Sequence, residues 1–340
     1  MIGLQTFFIE NRRRIMINIK DILSVNEIIK TGTIREKVSP ADFGLFGPYM
    51  DAAEEQIRSG KARNELQSDH DIGEAALCYI CSYLFHRWSQ AKTVYNFSEP
   101  FLMELAKTED TTVYKSVFDK LPFKTFVMNM PKDLGVDWCV VHVEPYKSDD
   151  GKVGVRIVCY YYSDEMYHYS QAKCMDGDSM IQQTIREFAS FAPDPNSEKF
   201  DAFCDRQTIP YNVMLIAASA CYYLASKNAE IKEDKKQKDN RIVIASAHGG
   251  KPKKVNVKTY NVGYHIGERF ESQLKKHNAV TVSHIGTGTG STKRPHVRRA
   301  HWHHYWTGAG RTTREVRWLE PMFILGDSAQ DAVVHRVSGD

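Results

Sequence analysis

Between Asp71 and Trp88 the apolar residues return every three or four positions, at Ile72, Ala75, Ala76, Tyr79, Ile80, Tyr83 and Leu84. A repeat near 3.6 residues gathers them onto one stripe, so the segment predicts a helix with a single buried face. A shorter helix is predicted over "SEPFLMELAKT", with Ser98 as N-cap, Glu99 in the first turn and Pro100 early enough to be tolerated. Upstream, residues 20–70 read as short helices with breaks. One of these, "SPADFGLFGPYMDAAEEQIRSGKA", opens on a Ser39–Pro40 cap and first-turn proline and continues in helix formers from Asp51 to Ile57.

In the middle of the chain the period shortens to two. "KTFVMNMP", "DWCVVHVEP", "GVRIVCYYYSD" and "MYHYSQAKCM" are β-branched and aromatic runs that predict strands, and "SDDGK" at 148–152 predicts a hairpin between two of them. Helix returns in "DSMIQQTIREFASFA", before the Pro193/Pro195 loop, and in the largely apolar "PYNVMLIAASACYYLASK" from Pro210, which is expected at the centre of the core. "NAEIKEDKKQKDNR" carries mixed charge without hydrophobic punctuation and predicts a flexible insertion. "YNVGYHIGERFESQLKK" regains structure. Beyond "TGTGST", two extended arms flank the Gly-rich "TGAGRTT" and predict a hairpin.

Helices, then strands, then helices, without regular alternation, point to an α+β fold. The expected architecture is an antiparallel or mixed sheet of the central strands, packed with N-terminal and central helices, plus a C-terminal β-hairpin-like element. The expected divisions are a disordered extension at 1–15, a mainly helical region at 16–125 and an α+β core at 126–326. That core contains a flexible basic insertion at 228–258 and a C-terminal block at 291–326; a tail follows at 327–340.

Composition narrows the class. A chain of 340 residues with 42% hydrophobic and 26% charged residues is a folded protein rather than a disordered one. No apolar run reaches the ~20 residues that span a bilayer, so no membrane partner is expected. The N-terminus lacks the order of charge, apolar stretch and cleavage site that marks a secretory signal. Seven cysteines, an odd number set beside large apolar residues, read as buried thiols of the cytoplasm.

Charge is unevenly spread. Lys227–Lys258 holds ten Lys/Arg against four Asp/Glu, and Ser291–Trp318 holds seven against one. With a net charge of only +3, the remainder of the chain is acidic. Two basic segments on an acidic body suggest an anionic partner or a polar contact face.

The chemistry concentrates in "TKRPHVRRAHWHHYW", Thr292–Trp306. As an extended strand it places His301, His303 and Tyr305 on one face and Trp302, His304 and Trp306 on the other, with the indoles turned to the core. Three readings stay open. His301 and His303, with His296 and a carboxylate such as Glu268, could chelate a metal ion as in a hydrolytic centre. Lys293, Arg294, Arg298 and Arg299 could hold phosphates while Trp302, Tyr305 or Trp306 stacks on bases, as in an RNA-binding protein or a metal-dependent ribonuclease. Alternatively the aromatics are packing and the histidines hydrogen-bond to backbone. In an extended arm Arg298 and Arg299 point to opposite faces, so one is expected to be buried against a carboxylate or to reach a partner. The glycines at Gly286–Gly290 lack P-loop context. No metal and no cofactor is assigned.

The block Arg294, Pro295, His296, Arg298, Arg299, His301, Trp302, His303, Tyr305, Trp306 and Gly308, followed by Arg317 and Trp318, strongly resembles the C-terminal motif of the type V-A anti-CRISPR family that suppresses production of the CRISPR effector nuclease. "YHIGER" (Tyr264–Arg269) and "DWCV" (Asp137–Val140) resemble two further family blocks. The resemblance implies a protein of a phage or plasmid that is not itself an enzyme. Such a protein binds the N-terminal peptide of a nascent target, the type V-A nuclease or another host protein, and triggers translation-dependent loss of its mRNA. The strands "WCVVHVEP" and "VRIVCYYYSDEMYHY" could offer that peptide a sheet edge, with Trp138, Tyr160, Tyr162 and Tyr167 as candidate contacts. The basic segments would then contact ribosome or message.

Overall fold

The computed structural model describes residues 42, 44–58, 69–108, 111–163, 166–180, 199–234, 241–244, 253–283 and 296–324. The expectations for 1–41, the Ser39–Pro40 cap, 181–198, Gly286–Gly290 and 325–340 lie outside these residues.

Seven strands form one mixed sheet. They are β1 (Thr93–Phe97), β2 (Thr125–Asn129), β3 (Trp138–Lys147), β4 (Val153–Ser163), β5 (Met166–Met175), β6 (Ile231–Glu233) and β9 (Lys258–Val262), in the order β5-β4-β3-β2-β1-β9-β6. β1 runs parallel to β2 and β9, while the other pairings are antiparallel. Both faces of the sheet are covered. On β3 and β4 the alternation sends Cys139, Val141, Val143, Ile157, Cys159 and Tyr161 into one core, and Trp138, Val140, Val158 and Tyr160 into the other.

The second core lies beneath α1 (Phe46–Arg58) and α2 (Asp69–Ala91). The predicted stripe of α2 is seen at Tyr79, Ile80, Tyr83 and Leu84, all buried, whereas the side chains of Ile72 and Ala75 are not described. The first core is closed by α3 (Glu99–Ala106), α4 (Lys115–Phe118) and α5 (Lys199–Leu224). One local expectation is corrected: the central helix begins at Lys199 and carries Pro210 inside it rather than at its start. Ser98 is the N-cap of α3 as expected, with Glu99 in the first turn and Pro100 at the helix start, and its side chain makes no capping bond.

The stretch 228–258 is corrected in part. Ile231–Glu233 pairs with β9 as an edge strand, and β7 (Arg241–Ile244) pairs antiparallel with β8 (Lys253–Asn256). Ile242 stands opposite Val255 in the β7–β8 ladder.

α6 (Tyr264–Ser283) packs against α3. The turn that introduces it needs glycine: Gly263 has φ +66°, and a Cβ there would enter the Phe101 ring. The C-terminal arms form the expected hairpin, β11 (His301–Thr307) with β12 (Thr313–Leu319), turning through Gly308 and Gly310 at φ +81° and +70°. β10 (His296–Arg298) and β13 (Met322–Ile324) continue the same register, so the arms make one long ribbon. The ladder is interrupted where Pro321, which has no N–H to give, falls opposite Arg299. Among the described residues no helix is long and apolar enough to cross a membrane.

Candidate functional site

The β11–β12 ribbon has an anchored face and an open one. On the anchored face the Trp302 indole meets Tyr222 edge-on at 5.2 Å. Trp318 meets Phe101 at 5.2 Å and donates from Nε1 to Thr108 Oγ1 at 2.9 Å. His304 lies between them and the tip, with Nε2 2.9 Å from Thr111 Oγ1 and its ring 5.1 Å from Tyr114. Asn228 grips the β12 backbone from both sides, donating to Trp318 O and accepting from Trp318 N.

Trp306 corrects the expectation that both indoles of the block enter the core. The ribbon outruns the protein at that point, and Trp306 is 55% exposed, with the Arg314 guanidinium 4.4 Å from its ring centroid. Arg314 also covers Tyr114 at 3.3 Å.

The open face presents His301, His303, Tyr305 and Arg317, as period-two alternation requires. The rings of His303 and Tyr305 lie 4.2 Å apart at 34°, and Arg317 sits 5.2 Å from the Tyr305 centroid. Arg298 and Arg299 are both exposed, as is His296. Of the two expected fates of one arginine, burial against a carboxylate or contact with a partner, burial does not occur; the buried residue of this stretch is Ala300. Arg294 lies outside the described residues.

Among the described residues, no group of three or more His, Cys, Asp or Glu is placed to hold a metal ion. Glu268, considered as a ligand with His301 and His303, lies on α6 beside His265, 3.7 Å away. Cys81, Cys139, Cys159, Cys174 and Cys221 are free and buried, as their neighbours in sequence predict.

The candidate peptide contacts are divided by the sheet. Trp138 and Tyr160 pack on each other at 6.3 Å and are 4% and 2% exposed, inside the core under α1 and α2, which removes both as walls of an open groove. Tyr162 and Tyr167 are ladder partners near the start of β5, and their side chains are not described. Of the two proposed segments, "WCVVHVEP" is an interior strand and "MYHY" begins the edge strand β5. Among the described side chains of that edge, Tyr169 is an aromatic open to solvent, the cross-strand partner of Tyr160 and 42% exposed.

A buried polar cluster escaped the sequence reading. Glu144 Oε2 accepts from the Phe46 N–H at 2.6 Å, at the start of α1, and lies 3.5 Å from His142 Nε2. Its Oε1 is 3.5 Å from Arg156 Nη1, and His142 Nδ1 is 2.8 Å from Thr125 Oγ1. Arg87 and Tyr83 add donors to the Gly44 carbonyl. Burial pushes the Glu144 carboxyl up, but His142, the Phe46 N–H and the Arg156 charge outweigh it and hold the group below the usual carboxylate range. The alternation in "VVHVEP" put His142 and Glu144 on one face, and that spacing was the available signal.

Burial lowers the His142 imidazole, opposed by Glu144, and lowers that of His304, helped by neighbouring His303. A folded-state value below 6.5 means that the unfolded chain binds the extra protons, so stability is full above that pH and falls as pH drops through it. Glu144 adds a loss at lower pH, as its depressed carboxyl takes up a proton. The melting temperature is therefore expected to be lower at about pH 5.5 than at about pH 7.5. His304→Gln, which keeps a partner for Thr111, should shrink the difference. Melts followed by circular dichroism at both pH values check this, and an unchanged difference would contradict the assignment to His304.

The family model "AcrVA2-like: Anti-CRISPR type V subtype A2 family" matches residues 95–326, which run from β1 through the C-terminal ribbon. Among solved structures, "Crystal structure of AcrVA2" is similar at 15% identity, covering 90% of this chain and 94% of that one with a TM-score of 0.44. The comparison with curated proteins found no match. With more than half of its length matched, both the sheet and the His/Arg/Trp ribbon included, the chain belongs to the AcrVA2-like family of type V-A anti-CRISPR proteins.

Proposed function

We propose that this anti-CRISPR protein is a receptor for the N-terminal peptide of the type V-A CRISPR nuclease as it leaves the ribosome. On this reading, engagement of the peptide triggers loss of the translated message. The protein belongs to a mobile genetic element, acts in the cytoplasm where translation runs, and leaves RNA cleavage to host machinery. Family membership over residues 95–326 is the observation that supports this reading.

The fold supplies a physical route. β5 ends the seven-stranded sheet, and among the described residues no strand pairs with its outer side. An extended peptide can add there through main-chain hydrogen bonds, with side-chain contacts setting specificity. Tyr169 is an exposed aromatic at that edge. Calorimetric titration with a synthetic peptide of the first ~15 nuclease residues is expected to show saturable binding, with a scrambled peptide silent. Tyr169→Ala should weaken binding about tenfold. No heat from the native peptide would overturn the proposal. The ribonuclease alternative gains no support, since the described residues offer no ligand group for a catalytic metal.

A further inference from the structure

The geometry points to a second binding surface: the open face of the β11–β12 ribbon is a platform for single-stranded RNA. This goes beyond the peptide reading and does not depend on it. Three observations converge on the same few side chains.

First, the face carries flat rings in an ordered array. His303 and Tyr305 are already in ring contact at 4.2 Å, and Tyr305 remains 36% exposed. Trp306 belongs to the reverse face, where the ribbon outruns the protein, and adds a second exposed ring at the tip, 55% exposed. An aromatic left in water as Tyr305 is, on a ribbon fastened from behind by Trp302, His304 and Trp318, has area free for a base. Stacking on such rings is the common means by which a sheet binds unpaired bases, and it is indifferent to sequence because every base has a π-face.

Second, cations stand beside the rings. On the open face Arg317 lies 5.2 Å from the Tyr305 centroid, so the candidate base position there has a guanidinium within reach of its phosphate, while Arg314 stands at the tip between Tyr114 and Trp306. Across 296–318 five arginines oppose one acidic residue, Glu315, whose carboxylate is 3.4 Å from Lys227. The α6 surface makes a useful contrast: its open concavity mixes His265, Glu268, Arg269 and Lys276 and has no sign to offer a polyanion.

Third, the platform is held in place. Trp302, His304 and Trp318 fasten the reverse side of the same two strands through the Tyr222, Thr111 and Thr108 contacts described above. The exposed rings therefore do not have to be ordered when a ligand arrives, which removes part of the entropic cost of binding. Successive same-face residues on a strand are ~7 Å apart, so the ribbon holds about two or three bases. RNA is the chosen occupant because the ring nitrogens of His301 and His303 flank the stacking positions, where a ribose 2′-hydroxyl can donate or accept. An acidic protein surface would satisfy the arginines but would leave the aromatic array without a role.

The test is fluorescence anisotropy of the full chain with a labelled, mixed-sequence RNA of about 12 nucleotides at about 50 mM salt. Saturable binding is expected. Tyr305→Ala should weaken it about tenfold or more and Trp306→Ala to a smaller degree, with melting temperatures unchanged because both rings are exposed. Arg317→Gln should reduce the slope of log K against log salt by about 0.7, the share of one phosphate contact on a single strand. Absence of RNA binding, or variants that bind as well as the parent, would overturn the proposal. So would binding of the same-sequence DNA at least as tightly as the RNA, or binding of a polyglutamate peptide in preference to RNA. Peptide calorimetry contains no RNA and this assay contains no peptide, so failure of either reading leaves the other standing.

Discussion

Trp318→Ala is expected to lower the stability of the fold by about 3–5 kcal/mol, the range for truncating a large aromatic in a packed interior. Trp318 is 1% exposed and meets two rings edge-on, Phe101 at 5.2 Å and Tyr223 at 6.1 Å. Alanine would leave a cavity bounded by α3, α5 and the ribbon, and would deprive Thr108 Oγ1 of its indole donor. The backbone bonds to Asn228 would survive, so the loss reports the side chain. Trp318→Phe restores part of the volume without the donor and should cost less. Trp306→Ala, in the same sequence block, should change stability by no more than about 0.5 kcal/mol. Urea unfolding of the three variants measures this, and similar losses for Trp306 and Trp318 would contradict the division of the ribbon into an anchored face and an open tip.

Glu144→Gln should cost about 3 kcal/mol, for a different reason. The substitution keeps the shape and removes the charge. Arg156, with a side chain 15% exposed, is then left partly buried without its counter-charge. The N–H of Phe46 also exchanges a charge-assisted bond for a neutral one, at the helix end where a carboxylate is most favourable. The sign of the coupling can be tested separately. Adding Arg156→Met removes the stranded cation, so the double variant should be more stable than the sum of the two single losses implies. Strict additivity in urea unfolding would show that the two groups do not act as a pair.

The two tryptophans also show how far the sequence could be read. Alternation placed Trp302 and Trp306 on one face correctly, but the extent of the core along that face depends on where α5 and the loop around Thr111 end, and a strand pattern holds no such information. Tyr160 and Tyr169 give the same lesson across strands: they pair directly, yet one is buried under α1 and α2 and the other lies open on the edge strand. Local runs were legible because period and turn chemistry are local, as with α2, the β3–β4 hairpin and the C-terminal ribbon. Strand order was not, since β1 joins β2 to β9 across more than a hundred residues of chain. The His142–Glu144–Arg156 cluster required that register, because Arg156 reaches Glu144 only as its cross-strand partner.

The central claim, that an emerging peptide is what this anti-CRISPR protein reads, is tested most directly by transcript abundance in cells producing it. Three nuclease reporters would be compared: the native one, one carrying compensating frameshifts that change the first ~15 amino acids while leaving the RNA almost intact, and one that is transcribed without being translated. Loss of the transcript that encodes the native peptide, with the frameshifted and the untranslated transcripts spared, is the predicted result. Equal loss of all three, or survival of the native one, would contradict it.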